Sequence, residues 1–499
     1  MDLVSVPVRP YAFLGTTQSL CPECHAVVPA KIIARGQRVY FRKRCPTHGL
    51  REDFVCSDRA WYDRYEYSLP AKIPAKTFVD PQRGCPLDCG LCSEHEQHTC
   101  IGVVEITDNC NLTCPLCYAA SRPGQKHRSL EEVKAAIDAL VRAEGKPDVV
   151  QISGGEPTLH PELGAILDYA WSKPIDYVMI NTNGIRLAKD PWLLEKLATA
   201  RQRVEIYFQM DGLADDVFVA LRGQSLLEIK LQALERIAQA GLHVTLVATL
   251  QGEVNLDQLG PLVHFAAARP WITGLSFQPA TYSGRYVLPS DLEKRVTFPD
   301  VIQGLSQQTQ GYWKPSDFIP LPCAHPNCHI FSMAFRHAGR LVPLTRFVDA
   351  QSNLDLLANG LSFTREEGRR LIQLYLSRQQ CCESGGCGAA QSEGADGSAA
   401  QSSTQPAGQG AGERVGDAAE NFFAQTLAKR LGAEDLLRIT ITSFLDAYNF
   451  DVRRVMKCCT HHVLPSGHII PFCAYNVLYR PGHVPLPPLS SEYREPDCV

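Results

Sequence analysis

The sequence has no imbalance of charge: 49 lysines and arginines face 53 aspartates and glutamates, for a net charge of −4. No basic field is available to recruit nucleic acid, which removes that class of partner. No apolar run approaches the ~20 residues of a membrane span, so no integral membrane segment is expected. The N-terminal stretch MDLVSVPVRPYAFLG has no charged region followed by an apolar one. No secretory signal is therefore read there, and a cytoplasmic location is expected. No sequence-level repeat recurs along the chain. At 499 residues the chain is long enough for about two to four domains, and its 45% hydrophobic content suits buried cores rather than disorder.

What the chain does have is cysteine, 20 in all. A chain of this length does not need disulfides to compensate for a small core. Cysteines in a chain without a secretory signal more often bind metal, and most of these fall in tight groups of two to four.

From 101 to 285, short β-rich runs alternate with amphipathic helical ones. IGVVEIT, DVVQIS, DYVMINT, VEIYFQMD, VTLVATL and TGLSFQP read as six strands, with helices such as SLEEVKAAIDALVRA between them. This is the pattern of a parallel α/β sheet or barrel. Ser129 and Glu132 form a capping box for the first helix. Chemistry in such folds gathers at the C-terminal ends of the strands, where the motifs of this chain sit.

At the end of the first strand, CNLTCPLCY carries Cys110, Cys114 and Cys117 in a C-x-x-x-C-x-x-C run. Iron–sulfur cubes use four cysteines. Three ligands leave one iron open, as catalytic zinc sites leave one position open. With Tyr118 beside the last cysteine, this run resembles the radical S-adenosylmethionine (radical SAM) superfamily. SGGEPTLHP after the second strand resembles that family's GGE motif, in which Gly154, Gly155 and Glu156 would meet the amino group of SAM. NTNG after the third strand (Asn181, Asn183) and QMDG after the fourth (Gln209, Asp211) are similar to further SAM or substrate contacts. The resemblance implies a partial (β/α)6 barrel and 4Fe–4S and SAM as cofactors. It also implies a 5′-deoxyadenosyl radical as the reactive species, and a low-potential electron donor such as ferredoxin or flavodoxin.

Outside the barrel, CPEC (Cys21, Cys24) and RCPTHG (Cys45, His48) read as two knuckles of one mononuclear zinc or iron site, with His48 or Cys56 as the fourth ligand. This unit, zinc-ribbon- or rubredoxin-like, is assigned residues 1–75. Residues 76–100 hold Cys85, Cys89, Cys92 and Cys100, enough for a closed auxiliary 4Fe–4S cluster, with His95 and His98 as neighbours. A C-terminal cluster-binding extension is assigned to 286–387 and 419–480. There Cys323, Cys328, Cys473 and one of Cys458 and Cys459, the latter preferred, would form a second auxiliary cluster. Cys381, Cys382, Cys387 and Cys498 are left over. Residues 388–418, rich in Gly, Ala, Ser and Gln, read as a disordered insertion, and 481–499 as an extended Pro-rich tail.

The order of these segments resembles the class D radical SAM methyltransferases, which methylate a dihydropterin at carbon, and equally the related tetraether lipid synthases, which couple lipid chains. The first resemblance implies a small-molecule pterin substrate and a methylene-carrying folate as methyl source; the second implies a lipid substrate. Gln278, Tyr282 and Arg285 at the sixth strand end suit a polar substrate, and pterin-type C-methylation is the favoured reading. Two other classes are weighed: a multi-cluster electron-transfer protein, which would need no SGGEPT-type SAM site, and a zinc-rich scaffold.

Overall fold

The computed structural model describes residues 9–357, 365–383 and 409–490. Its first unit is a four-stranded antiparallel sheet: β1 (Ala12–Leu20), β2 (Val27–Arg35), β3 (Arg38–Cys45) and β4 (Gly49–Cys56). Ile32, Val39 and Phe41 form its own small core.

The expected barrel strands are all present. They are β5 (Ile101–Thr107), β6 (Val149–Gly154), β7 (Tyr177–Thr182), β8 (Val204–Gln209), β9 (Val244–Leu250) and β10 (Ile272–Pro279). Each is parallel to the next. The helices between them are α1 (Leu130–Glu144), α2 (Leu163–Ser172), α3 (Pro191–Ala198), α4 (Asp215–Arg222), α5 (Leu227–Gln239) and α6 (Leu259–Ala267). Helix α1 starts at the capping box read from the sequence: Glu132 N–H donates to Ser129 Oγ, and the Glu132 carboxylate accepts from Ser129 N–H. Period-2 alternation divides each strand between two environments. Ile152, Ile180, Ile206, Leu246 and Phe277 face the helices in the main hydrophobic core. The alternate residues face the lumen and are largely polar. Among them Tyr207 donates to Ser276 Oγ at 2.6 Å, Thr245 to Glu205 at 2.5 Å, and Asn181 to Ser153 at 3.3 Å.

Beyond β10 the chain continues through α7 (Phe298–Gln308), β11 (Ile319–Pro320), β12 (His329–His337), β13 (Arg340–Pro343), α8 (Leu354–Leu357), α9 (Arg365–Glu383), α10 (Gln409–Leu427), β14 (Leu436–Thr442), α11 (Val452–Met456), β15 (Thr460–Val463) and β16 (Ile469–Pro471). These strands extend the barrel sheet. β14 pairs parallel with β10 and antiparallel with β12, while β15 pairs parallel with β5 on the opposite edge. The sheet order is β11-β12-β14-β10-β9-β8-β7-β6-β5-β15-β16. The reading that placed a boundary at 285 thus divides residues that share one sheet.

The expected insertion is also shorter on its C-terminal side. Residues 388–408 lie outside the described residues, but 409–418 belong to α10. That helix is held by Phe422, whose ring meets Phe335 of β12 at 5.4 Å. Of the leftover cysteines, Cys381 and Cys382 fall in α9, and Cys387 and Cys498 lie outside the described residues. Residues 481–490 carry no regular structure and 491–499 are not described. Among the described residues no helix is long and apolar enough to cross a membrane.

Because β14 and β15 stand on opposite edges, residues 443–459 between them span the side on which six strands fail to close. The N-terminal sheet docks there through Lys43. Its buried ammonium pairs with Asp53 at 2.9 Å and donates to the carbonyls of Leu20, Ala447 and Tyr448 at 3.0, 3.1 and 2.7 Å. Breaking a buried ion pair by removing one partner costs about 3–5 kcal/mol. Lys43→Ala is therefore expected to lower unfolding stability by about that amount and to make the 12–56 sheet a proteolytic fragment. A denaturation midpoint equal to that of the parent would refute this anchoring.

Candidate functional site

The N-terminal site is assembled by two turns. Cys21 and Cys24 follow β1, and Cys45 and His48 lie at the β3–β4 hairpin. Their ligand atoms all fall within 4.8 Å of one another. Cys21 Sγ and Cys45 Sγ are each 3.5 Å from His48 Nδ1, and Cys24 Sγ is 3.8 Å from Cys45 Sγ. Tetrahedral ligation at about 2.3 Å for sulfur and 2.0 Å for nitrogen produces spacings of this size, so the four side chains fit one metal ion. The His48 backbone N–H holds the Cys45 thiol down, to about 6. His48 rather than Cys56 completes the set. Cys56 is buried beside Ile32 and Phe41, its sulfur lies 3.3 Å from the Asp58 carbonyl oxygen, and burial pushes its thiol up to about 12.

At the barrel mouth, Cys110, Cys114 and Cys117 lie on the loop after β5. Neighbouring strand ends hold this loop mostly by main chain. Gly155 N–H donates to Thr107 O at 2.8 Å and Glu156 N–H to Asn109 O at 2.9 Å. The approach is too close for side chains: a Cβ on Gly154 would lie 2.1 Å from Thr107 O, and one on Gly155 2.3 Å from Asn109 O. Gly154 also has φ of +127°, a glycine conformation. The glycine pair therefore makes room for the cluster loop itself.

Glu156 has protein partners of its own. Buried to 1% exposure, it accepts from Thr158 N–H, Thr158 Oγ and Thr182 Oγ on one oxygen, and from Asn183 N–H on the other at 2.7 Å. These bonds tie the end of β6 to the end of β7, three on one oxygen and one on the other. Asn183 continues the connection by donating to Asn111 of the cluster loop at 2.7 Å. Asn181 faces the lumen beside Ser153.

Gln209 and Asp211 hold a residue that the sequence reading missed, Arg222 at the end of α4. Asp211, fully buried, takes its guanidinium at 2.6 and 2.7 Å, and Gln209 and Thr249 each accept at 3.1 Å. Arg222 lies against Cys114, whose thiol is raised by burial and pulled back down by this cation. Burial pushes the Cys110 thiol up to about 12, and metal binding is what ionises such buried thiols. Beneath them, buried Lys230 donates to the Asn183 and Gln209 carbonyls at 2.9 and 2.7 Å and so joins the NTNG and QMDG turns. Tyr118 packs edge-on to Phe472 at 5.2 Å, with Arg480 over its ring.

The three residues suggested for a polar substrate do not converge. Arg285 clamps the cluster loop, donating to Cys114 O at 2.5 Å and Ser121 O at 2.9 Å, while its backbone pairs with that of Cys117 at 2.7 and 2.9 Å. Tyr282 N–H donates to Asp446 at 3.0 Å. Only Gln278 faces the lumen, donating to Tyr207.

The remaining cysteines regroup. Cys100 contacts Cys323 and Cys459 rather than Cys85, Cys89 and Cys92, and its sulfur lies 3.5 Å from His98 Nε2. Its backbone explains this: Cys100 N–H donates to Cys459 O at 2.9 Å as the chain enters β5 beside β15. Cys328 packs against this group, with Arg454 Nε 3.3 Å from its sulfur. Cys85 and Cys89 are in thiol contact, with Cys92 nearby, whereas Cys473 stays near Cys328, Cys458 and Arg454. The spacing of Cys85, Cys89 and Cys92 repeats that of the catalytic run, a signal available in the sequence that three of these four cysteines form a unit. Cys458 Sγ donates to Thr460 O at 3.1 Å.

Gly155→Ala is expected to displace the 107–109 backbone and with it the catalytic cysteines. Anaerobically reconstituted variant should lose about four irons per chain at unchanged circular dichroism, with the N-terminal metal retained. Full iron content would show that the close approach is not needed to hold the cluster.

A family model described as the Radical SAM superfamily matches residues 104–266, and one described as the HMPTM N-terminal zinc ribbon domain matches 13–57. The 7,8-dihydro-6-hydroxymethylpterin dimethyltransferase of Methanocaldococcus jannaschii is 30% identical over 495 residues, covering 93% of this chain and 94% of the relative. The mycofactocin maturase MftC of Mycolicibacterium smegmatis is 32% identical over 164 residues, 33% of this chain and 40% of that protein. Among solved structures, Streptococcus suis SuiB bound to its precursor peptide SuiA superposes with a TM-score of 0.37 at 17% identity, over 44% of this chain and 47% of that one. The barrel with its open three-cysteine loop, preceded by a metal-binding ribbon, is that of a radical SAM enzyme, and the chain belongs to the radical SAM superfamily, in the family of the M. jannaschii dimethyltransferase.

Proposed function

We propose that this enzyme C-methylates a reduced pterin or a similar heterocycle, with a methylene-folate-type donor. The observation that carries the reading is similarity along essentially the whole length of a pterin dimethyltransferase, ribbon and C-terminal region included. The lumen supports it. Inward side chains below the cluster loop, Gln151, Tyr207, Ser276 and Gln278, offer the hydrogen-bonding groups that a heterocycle needs and an alkyl chain does not.

A 4Fe–4S cluster on Cys110, Cys114 and Cys117, when bound, supplies the electron that cleaves SAM to the hydrogen-abstracting radical. The chain's own contribution is geometric. Arg285, the Gly154–Gly155 turn and Asn183 fix the loop, and Arg222 sets a buried positive charge beside Cys114. SAM is assigned to the space over the strand ends, beside Tyr118, Asn181 and the GGE turn. Two auxiliary cubes are assigned, one on Cys100, Cys323, Cys328 and Cys459, the other on Cys85, Cys89 and Cys92. The ribbon's Cys3His donor set matches structural zinc. A low-potential ferredoxin or flavodoxin would deliver electrons, and a reducing cytoplasm suits so many free thiols.

Incubation of the reduced, reconstituted enzyme with SAM, a methylene-tetrahydrofolate and a dihydropterin should add one or two methyl masses to the pterin, and Cys114→Ala should abolish this. Joined alkyl chains from lipid, with the pterin unchanged, would overturn the reading. Cys100→Ser and Cys92→Ser should each disturb a different cluster, with additive changes in the electron paramagnetic resonance spectrum. Identical spectral losses would return Cys100 to the Cys85–Cys92 group.

A further inference from the structure

Of the three cysteines on the loop after β5, Cys110 and Cys114 are buried and Cys117 is partly exposed. Two segments flank this loop. Arg285 pairs antiparallel with Cys117 and leads into residues 286–288. Arg122 pairs with Asn109, and its carbonyl accepts from Cys110 N–H at 3.3 Å. The Arg285 side chain joins the two segments by donating to the Ser121 carbonyl at 2.9 Å. Together they form one face beside the least buried of the three thiols.

That face is apolar on one side and basic on the other. Tyr286, Val287 and Leu288 are 40%, 59% and 40% exposed, and no other three successive large hydrophobic residues are exposed together among the described residues. Single exposed apolar residues need no explanation, whereas a contiguous group marks an interaction site. Arg122 and Lys126 are exposed and, among the described residues, in no ion pair. Their backbone is held in place. Gln125 accepts from Arg122 N–H at 2.7 Å, Asn109 from Gly124 N–H at 2.8 Å, and the Lys126 carbonyl from Asp108 N–H at 2.9 Å. The Arg285 guanidinium binds two carbonyls, so it adds a third positive charge. Against these the cluster loop sets one carboxylate, the half-buried Asp108. Beyond Leu288, Glu253 is paired with Lys294 at 2.5 Å and Glu293 with Arg38, while Asp291 caps a turn at the Glu293 N–H. A chain with a net charge of −4 thus shows a locally positive face at its cluster loop.

We propose that this face docks the one-electron carrier, an acidic protein with its redox group near its own surface. The assignment rests on the reading above that a low-potential carrier supplies the electrons. Apolar contact at the centre with charges at the rim is the build of a transient interface, in which the charges steer the encounter. One electron passes from the reduced carrier to the oxidised cluster; the carrier is oxidised by one electron, the cluster is reduced by one, and no bond or proton is exchanged. A neutral dihydropterin has no use for exposed cations. A second copy of this chain, meeting the same face about a two-fold axis, would set like charges against one another.

The test is stopped-flow reduction of the reconstituted, full-length protein by a reduced acidic flavodoxin, at low and high salt, with dithionite as the small-molecule control. The parent rate should fall steeply with salt. Arg122→Glu/Lys126→Glu should slow reduction by flavodoxin about tenfold or more at low salt and match the parent at about 1 M, where charges are screened. Val287→Ser/Leu288→Ser should slow it about fivefold at either ionic strength. Both variants should keep the parent's iron content and its dithionite-driven SAM cleavage. Flavodoxin rates unchanged in both variants, or equal losses with dithionite, would overturn the proposal. So would loss of a dimer, or of dihydropterin affinity, at an unchanged flavodoxin rate, since the face would then belong to a second copy or to the substrate. Dithionite-driven methylation of the pterin is scored separately. Its absence beside face-dependent reduction removes the methylation reading and leaves the docking face standing, and its presence beside face-independent reduction does the reverse.

Discussion

Six parallel strands with these helices do not close on themselves, and the open side must be filled by something with its own polar groups satisfied. Residues 443–459 do this, strung between a strand on each edge of the sheet. Much else is hung on that segment. Asp446, fully buried, receives Arg295 through both oxygens at 3.0 and 2.8 Å and the Tyr282 N–H at 3.0 Å, which fixes the loops after the sixth strand. Asp451, equally buried, accepts from Thr17 of the ribbon at 2.7 Å and pairs with Arg453, which reaches Asp63 at 2.9 Å. Arg454 approaches Cys328, and the segment ends on Cys458 and Cys459. Buried carboxylates are tolerated here because every one is matched by guanidinium or N–H donors. Their gain is location: ribbon, barrel and auxiliary cysteines are all referred to one strand of chain.

The catalytic loop obeys a related rule. It carries three cysteines and little regular structure, so its position is imposed by neighbours. Main-chain bonds from the turn after β6 and from Arg285 set its height, and the buried Glu156 and Lys230 lock the neighbouring turns to one another. A loop fixed from several sides is pre-organised. This is what a cofactor-driven radical reaction requires of its protein.

The sequence was informative where chemistry forces a local pattern. Strand and helix periods gave all six barrel strands, the capping box gave the start of α1, and cysteine spacing gave the ribbon knuckles. It was silent or misleading where one residue type serves several physical roles. The GGE residues read as ligand contacts, and the fold adds a second role: the glycines accommodate a backbone and the glutamate joins two strand ends. Arg285 read as a substrate contact and is a clamp. Arg222, with no motif around it, went unnoticed because only the folded chain brings the end of α4 to Cys114.

What the sequence determined by itself is therefore the set of parts: a metal ribbon, a parallel barrel and an open three-cysteine site. These rest on short-range spacing, which survives in one dimension. What only the tertiary structure decided is which distant groups meet. Cys100 joins Cys323 and Cys459 because β15 pairs beside β5, and the C-terminal region extends the barrel sheet because β14 pairs with β10 and β15 with β5. Contacts between residues hundreds of positions apart are set by strand pairing and burial, and no local pattern encodes them.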